Sequence, residues 1–187
     1  MKAPGFARAA AGIACGGLCF ALAGCAKAPA PAPAAAAVST AAAHGYAPDP
    51  RLAGSAGVIN YAYGPGRDAA ADIRKALGLA AASGRRVLVE VGGPWCSWCG
   101  TMDRFFAGHP GSLALRDGAF VMVKVLSRPS APEPALAAYP KPPGYPHFFV
   151  LNPDGTLAES RDTTTLEAGS GYDAAKMDAF LRAWSPK

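Results

Sequence analysis

Two cysteines three positions apart, Cys96 and Cys99, stand in the run Trp95-Cys96-Ser97-Trp98-Cys99. Residues 87–91, Val-Leu-Val-Glu-Val, form a β-branched run of the kind buried on both faces of a sheet. Gly92-Gly93-Pro94 breaks that run, and residues 96–107 then read as a helix, so the cysteine pair opens a helix straight after a buried strand. A helix N-terminus carries roughly half a positive charge and unsatisfied N–H groups, which together stabilise a thiolate. The outer sulfur, Cys96, is then placed to attack a disulfide. The inner one, Cys99, lies a turn deeper and can resolve the mixed disulfide by closing a small ring. Trp95 is expected to pack at this site and Trp98 to offer an exposed contact surface, with Ser97 between the sulfurs. Glu90 is the one acid in the strand. Its Val and Leu neighbours desolvate the carboxyl and raise its pKa, which suits it to relay the proton that Cys99 must exchange. The plainer reading of Glu90 is a salt-bridge partner.

The same two sulfurs admit other chemistry. A structural zinc site takes four ligands, and the chain has no second cysteine pair for one. Copper(I) needs only two thiolates, so a copper-delivery module is an alternative; a redox-inactive docking lipoprotein is another. Apart from that copper alternative, no metal and no cofactor are expected. His147 could lie near the sulfurs but reads as a satisfied strand histidine. His109 reads as a helix-end residue, and His44 falls in a linker.

The remaining cysteines, Cys15, Cys19 and Cys25, sit near the start of the chain. Lys2 and Arg8 precede the uncharged stretch 9–23, fifteen residues long. That is short of the roughly 20 a membrane-spanning helix needs and fits the apolar core of an export signal. It ends in Leu22-Ala23-Gly24-Cys25, which looks like a bacterial lipobox. Residues 1–24 are therefore expected to be a lipoprotein signal peptide, with Cys25 lipidated and holding the protein to a membrane. Ala26, which is not Asp, points to the outer rather than the inner membrane under the sorting rule of enteric-type lipoproteins. Residues 25–50 are Ala/Pro-rich, with Pro29, Pro31 and Pro33 at alternate positions. Prolines remove donors and stiffen the chain, and few large apolar groups offset the entropy of ordering. This stretch reads as an extended tether, leaving residues 51–187 as one domain.

Charge excludes one class of partner. The formal net charge is +5, and Lys2 and Arg8 contribute two of those positives. The other basic residues are scattered, with no more than two adjacent (Arg74-Lys75 and Arg85-Arg86), so no stripe tracks a phosphate backbone and nucleic-acid binding is not expected.

Within the domain, residues 58–63 read as a short strand and 68–83 as a helix, with Asp68 able to cap its start and Gly84 its end. Further strands are expected at 119–126, 147–151 and 156–161, the last two joined by the turn Asn152-Pro153-Asp154-Gly155. Residues 128–145 are Pro-rich and irregular, with one helical turn near 133–139. An amphipathic helix, 173–184, closes the chain with Met177, Phe180, Leu181 and Trp184 on one face.

With those elements in order, residues 58–184 resemble the thioredoxin superfamily. Three features in register carry the resemblance: Trp-Cys-x-x-Cys after a strand, Glu90 six residues before Cys96, and Tyr145-Pro146 fifty residues after it. The resemblance implies an α/β thioredoxin fold, a central mixed sheet flanked by helices. It also implies a buried acid at Glu90, and a cis-proline at Pro146 that presents Tyr145 to an extended substrate. Ser-Trp stands between the cysteines where thioredoxin itself has Gly-Pro, and Gly100 stands where Lys is common. The run 102–106, Met-Asp-Arg-Phe-Phe, is closer to exported thioredoxin-like proteins. The expected activity is thiol–disulfide exchange, reducing, oxidising or isomerising. Exported protein thiols and disulfides would be the substrates and a separate redox partner would recycle a monomeric enzyme facing the periplasm.

Overall fold

The computed structural model describes residues 46, 48–55 and 57–187. The expected signal peptide, the lipidation site Cys25 and almost all of the tether lie outside the described residues. Helix α1, Ala69–Ser83, starts where Asp68 accepts a bond from the Ala71 amide and stops at Gly84, whose φ of 66° suits a residue without a Cβ. It buries Ala69, Ile73, Ala76 and Ala80 as one stripe.

Strand β1, Arg86–Gly92, is buried almost throughout because it lies in the middle of the sheet. It runs parallel to β2, Phe120–Leu126, and antiparallel to β3, His147–Leu151, which pairs in turn with the antiparallel edge strand β4, Leu157–Asp162. The sheet order is β2-β1-β3-β4. A parallel pair needs a long crossover. Here it is supplied by α2, Ser97–Gly108, and α3, Pro110–Ala119. The turn into β4 has Gly155 at φ 87°, closed by the Asn152 amide on the Thr156 carbonyl.

Side-chain alternation divides the core in two. Val87, Val89, Val91, Val121, Val123, Val125, Phe149 and Leu151 face α1. Leu88, Phe120, Phe148 and Val150 face the other way, against Met102 and Phe106 of α2 and Met177, Phe180 and Leu181 of α4, Ala174–Trp184. Glu90 and Lys124 share the parity of this second set, so strand geometry turns both charges toward α2. No helix among the described residues is long and apolar enough to cross a membrane.

Three elements differ from expectation. Residues 58–63 do not form a strand; only Val58 bridges to Met122. Beyond it the Asn60 side chain takes over the pairing, its amide bonding the Lys124 carbonyl at 2.9 Å and its oxygen accepting the Lys124 N–H at 2.9 Å. Helix α3 is a further element between α2 and β2. Its buried positions are Ser112, Arg116 and Ala119, helical in spacing but two of them polar, so no hydrophobic stripe announces it. A two-stranded hairpin, β5 (Glu167–Ala168) with β6 (Gly171–Tyr172), also forms ahead of α4, too short to leave a pattern.

Candidate active site

The loop after β1 delivers Cys96 to the N-cap of α2, where its sulfur accepts the Cys99 N–H at 3.1 Å. Cys96 and Cys99 are joined as a disulfide, with Cα atoms 5.3 Å apart. Cys96 is 5% exposed and Cys99 fully buried, so an incoming sulfur can reach only the outer atom. Gly92 explains how the inner sulfur fits. A Cβ there would collide with Cys99 Sγ and come within 2.8 Å of the Tyr63 hydroxyl.

The aromatic residues form the rim. Trp95 meets Tyr145 edge-on at 5.0 Å, and the Tyr145–Pro146 bond is cis. Trp98 is half-buried rather than exposed, because Tyr172 of the β5–β6 hairpin packs edge-on against it at 5.5 Å. Ser97 is exposed. His147 is buried in β3 with Nε2 2.9 Å from Ser160 Oγ, and burial pushes its pKa down to about 4. It is a neutral strand residue bonded across to β4. His109 stacks on Phe105 and holds its carbonyl at the end of α2.

Behind Cys99 lies a group of polar side chains that the sequence reading does not assemble. Glu90 is fully buried, and strand register sets Lys124 directly opposite it. Lys124 Nζ lies 3.4 Å from Glu90 Oε1 and bonds Asp103 Oδ1 of α2 more closely. Two tyrosines close the group. Tyr63 donates to Glu90 Oε1 at 2.7 Å, and Tyr46 donates to Asp103 Oδ2 at 3.0 Å. Lys124 Nζ sits over the Tyr63 ring at 4.9 Å and the Tyr46 ring at 5.7 Å, a favourable place for a cation.

The charge balance is uneven: two carboxyls share one ammonium, and all three groups are at most 3% exposed. Desolvation raises the Glu90 pKa, Lys124 pulls it back, and Asp103 pushes it up again, leaving it above the ordinary carboxyl value. Burial and the neighbouring Glu90 hold the Tyr63 hydroxyl well above its usual range, so it stays protonated. Glu90 Oε2 has no hydrogen-bond partner among the described residues. A carboxyl that gains or releases one proton beside a buried sulfur is what this balance makes available.

Lys124 did leave a trace in the sequence, as a lone charge in Phe-Val-Met-Val-Lys-Val-Leu. Asp103 falls one helical turn after Cys99, on the same face of α2. Tyr46 and Tyr63 left none, since both arrive from irregular segments. Among the described residues no group of three or more His, Cys, Asp or Glu side chains is placed to hold a metal ion.

Comparison with known proteins fits this geometry. Residues 68–153 match the thioredoxin-like family model. The thiol:disulfide interchange protein DsbD of Pseudomonas fluorescens is 31% identical over 116 residues, which cover 62% of this chain and 18% of that protein. The match thus spans less than a fifth of that relative's length. The crystal structure of a disulphide isomerase from Xylella fastidiosa Temecula1 superposes with a TM-score of 0.56 at 23% identity, over 65% of this chain and 94% of that one. The mixed sheet, the flanking helices and the match over residues 68–153 agree: the domain has a thioredoxin-like fold.

Proposed function

We propose that this protein is a thiol–disulfide oxidoreductase acting on exported proteins through the Cys96–Cys99 couple. The observation that carries the reading is a disulfide at the N-terminus of α2 whose inner sulfur shares the space beside Gly92 with the Tyr63 hydroxyl, which in turn bonds the buried carboxyl of Glu90. Cys96 is the nucleophile, Cys99 the resolving thiol and Glu90 the proton acceptor. Trp95, Ser97, Trp98, Tyr145 and Pro146 form the surface that meets the substrate. No cofactor enters the exchange, since electrons pass between sulfurs. The resemblance to a thiol:disulfide interchange protein supports the same chemistry.

The deciding experiment equilibrates the full-length chain with thiol redox buffers and reads the Cys96–Cys99 couple by alkylation. A potential near about −270 mV makes it a reductant and one near about −120 mV an oxidant. A couple that exchanges with no thiol or disulfide in solution sinks the proposal.

Placement in the cell envelope belongs to the same reading. Leu22-Ala23-Gly24-Cys25 after a short apolar stretch supports lipidation at Cys25, and an Ala/Pro-rich tether would hold the domain off the outer membrane toward exported substrates. Intact-mass analysis of protein extracted from membranes is expected to show a chain beginning at Cys25 with acyl groups attached. A different N-terminus, or no acyl mass, removes the anchor.

A further inference from the structure

The matched family segment begins at residue 68, yet the group beside the inner sulfur includes Tyr63, which lies upstream of it. Tyr63 is 6% exposed, and its place is fixed from two sides. Asn60 clamps the segment to the backbone of β2 through two bonds to Lys124, and the turn at Pro65-Gly66, with Gly66 at φ 84°, follows. The hydroxyl donates to Glu90 Oε1 at 2.7 Å. The same hydroxyl and Cys99 Sγ both border the space that a Cβ on Gly92 would fill, so no side chain of Gly92 separates them. Tyr63 therefore stands between the carboxyl and the sulfur that must trade a proton. The other ionisable groups around it are Lys124 of β2, Asp103 of α2 and Tyr46, and Lys124 is committed to the two carboxylates.

We propose that Tyr63 relays the proton between Cys99 and Glu90 when the mixed disulfide is resolved. This rests on the thiol–disulfide reading above. In the step, the Cys99 sulfur forms its bond to Cys96 Sγ. The Cys96–substrate bond breaks, and its electron pair leaves on the substrate sulfur. The Cys99 proton passes to the Tyr63 oxygen as the Tyr63 proton passes to the Glu90 carboxylate. The substrate disulfide is reduced by two electrons, the Cys96–Cys99 dithiol is oxidised, and one proton ends on Glu90.

The test uses the reduced full-length chain and an aromatic disulfide reagent that releases a coloured thiolate twice. The first release reports attack by Cys96 and the second reports resolution by Cys99. Y63F is expected to slow the second release on the order of 10-fold or more, since acid–base assistance contributes on that scale or above. The double variant Y63F/E90Q should be no slower than the slower single one, because both remove the same path. In mixtures of light and heavy water the second release of the wild-type chain should follow a curved dependence on deuterium fraction, two protons moving together. Y63F should straighten it. A merely structural tyrosine would not set that curvature, and the wild-type measurement needs no variant to fold. A straight wild-type dependence, or Y63F with wild-type rate and curvature, overturns the relay. Absence of the first release from the wild-type chain overturns the exchange reading itself, and the relay with it.

Discussion

Cys99→Ala is expected to leave the protein covalently bound to its substrates, whereas Cys96→Ala is expected to bring exchange down to the uncatalysed background. The asymmetry follows from access and from the helix. Cys96 keeps a sliver of exposure at the cap of α2, and Cys99 is sealed under Gly92 and the polar group behind it. An external disulfide can reach only the outer sulfur. Once the mixed disulfide has formed, only the inner sulfur is close enough to displace it. Expressing each variant, quenching thiols with acid and resolving the adducts on non-reducing gels gives the answer. Equal trapping by both variants would contradict the assignment of roles.

The second large effect concerns stability. Lys124→Met removes the cation that Glu90 and Asp103 share and leaves buried carboxyls without a counter-charge. Breaking a buried pair from one side costs about 3–5 kcal/mol, a large fraction of a domain's usual margin. Glu90→Gln works the other way. Lys124 keeps its bond to Asp103, and the amide oxygen can still accept from Tyr63. The pH dependence follows from the direction of the Glu90 shift. Its folded value lies above the ordinary 4.5, so the folded state holds the proton more tightly than the unfolded chain. That contribution is whole below about 4.5 and is lost as pH climbs through the raised folded value. Wild type should thus weaken from pH 5 toward 8, and Glu90→Gln should weaken less and match or exceed it at the upper end. Denaturant midpoints of the three proteins across that range decide both claims. Parallel profiles for wild type and Glu90→Gln would mean that Glu90 titrates alike in the folded and unfolded chains.

Local signals in the sequence were enough where a residue's neighbours along the chain decide its state. Asp68 and Gly84 bracket α1 because caps act within a few residues. The cysteine pair announces itself by spacing, and Glu90 by being the only acid in an apolar strand. The counter-ion of Glu90 was a different matter. Lys124 lies 34 positions away and meets Glu90 only because β1 and β2 pair in parallel at that register. Register is a property of the assembled sheet, and no window along the chain contains it. Tyr63 was obscured for a related reason. Residues 58–63 read as a short strand, which would have turned Tyr63 to one face of a sheet. Instead a single bridge and the side chain of Asn60 hold the segment, and the backbone is free to curl the ring over Gly92. Trp98 was expected at the surface because nothing in sequence foretold a two-residue hairpin folding Tyr172 onto it.

The Asn60 clamp also bears on how the sheet ends at β2. β2 is the outermost strand on its side of the sheet, and its seven residues are apolar apart from Lys124. Such an edge, with bare N–H and C=O groups along a β-branched run, is a template for another chain to pair with. Gly57 and Ile59 occupy the backbone of Met122, and the Asn60 amide occupies both polar groups of Lys124. The segment ahead of α1 therefore acts as a stopper on the open side of the sheet. A chain trimmed to the family boundary at residue 68 would lose it and present that edge to its neighbours, and strand-to-strand aggregation is the expected result.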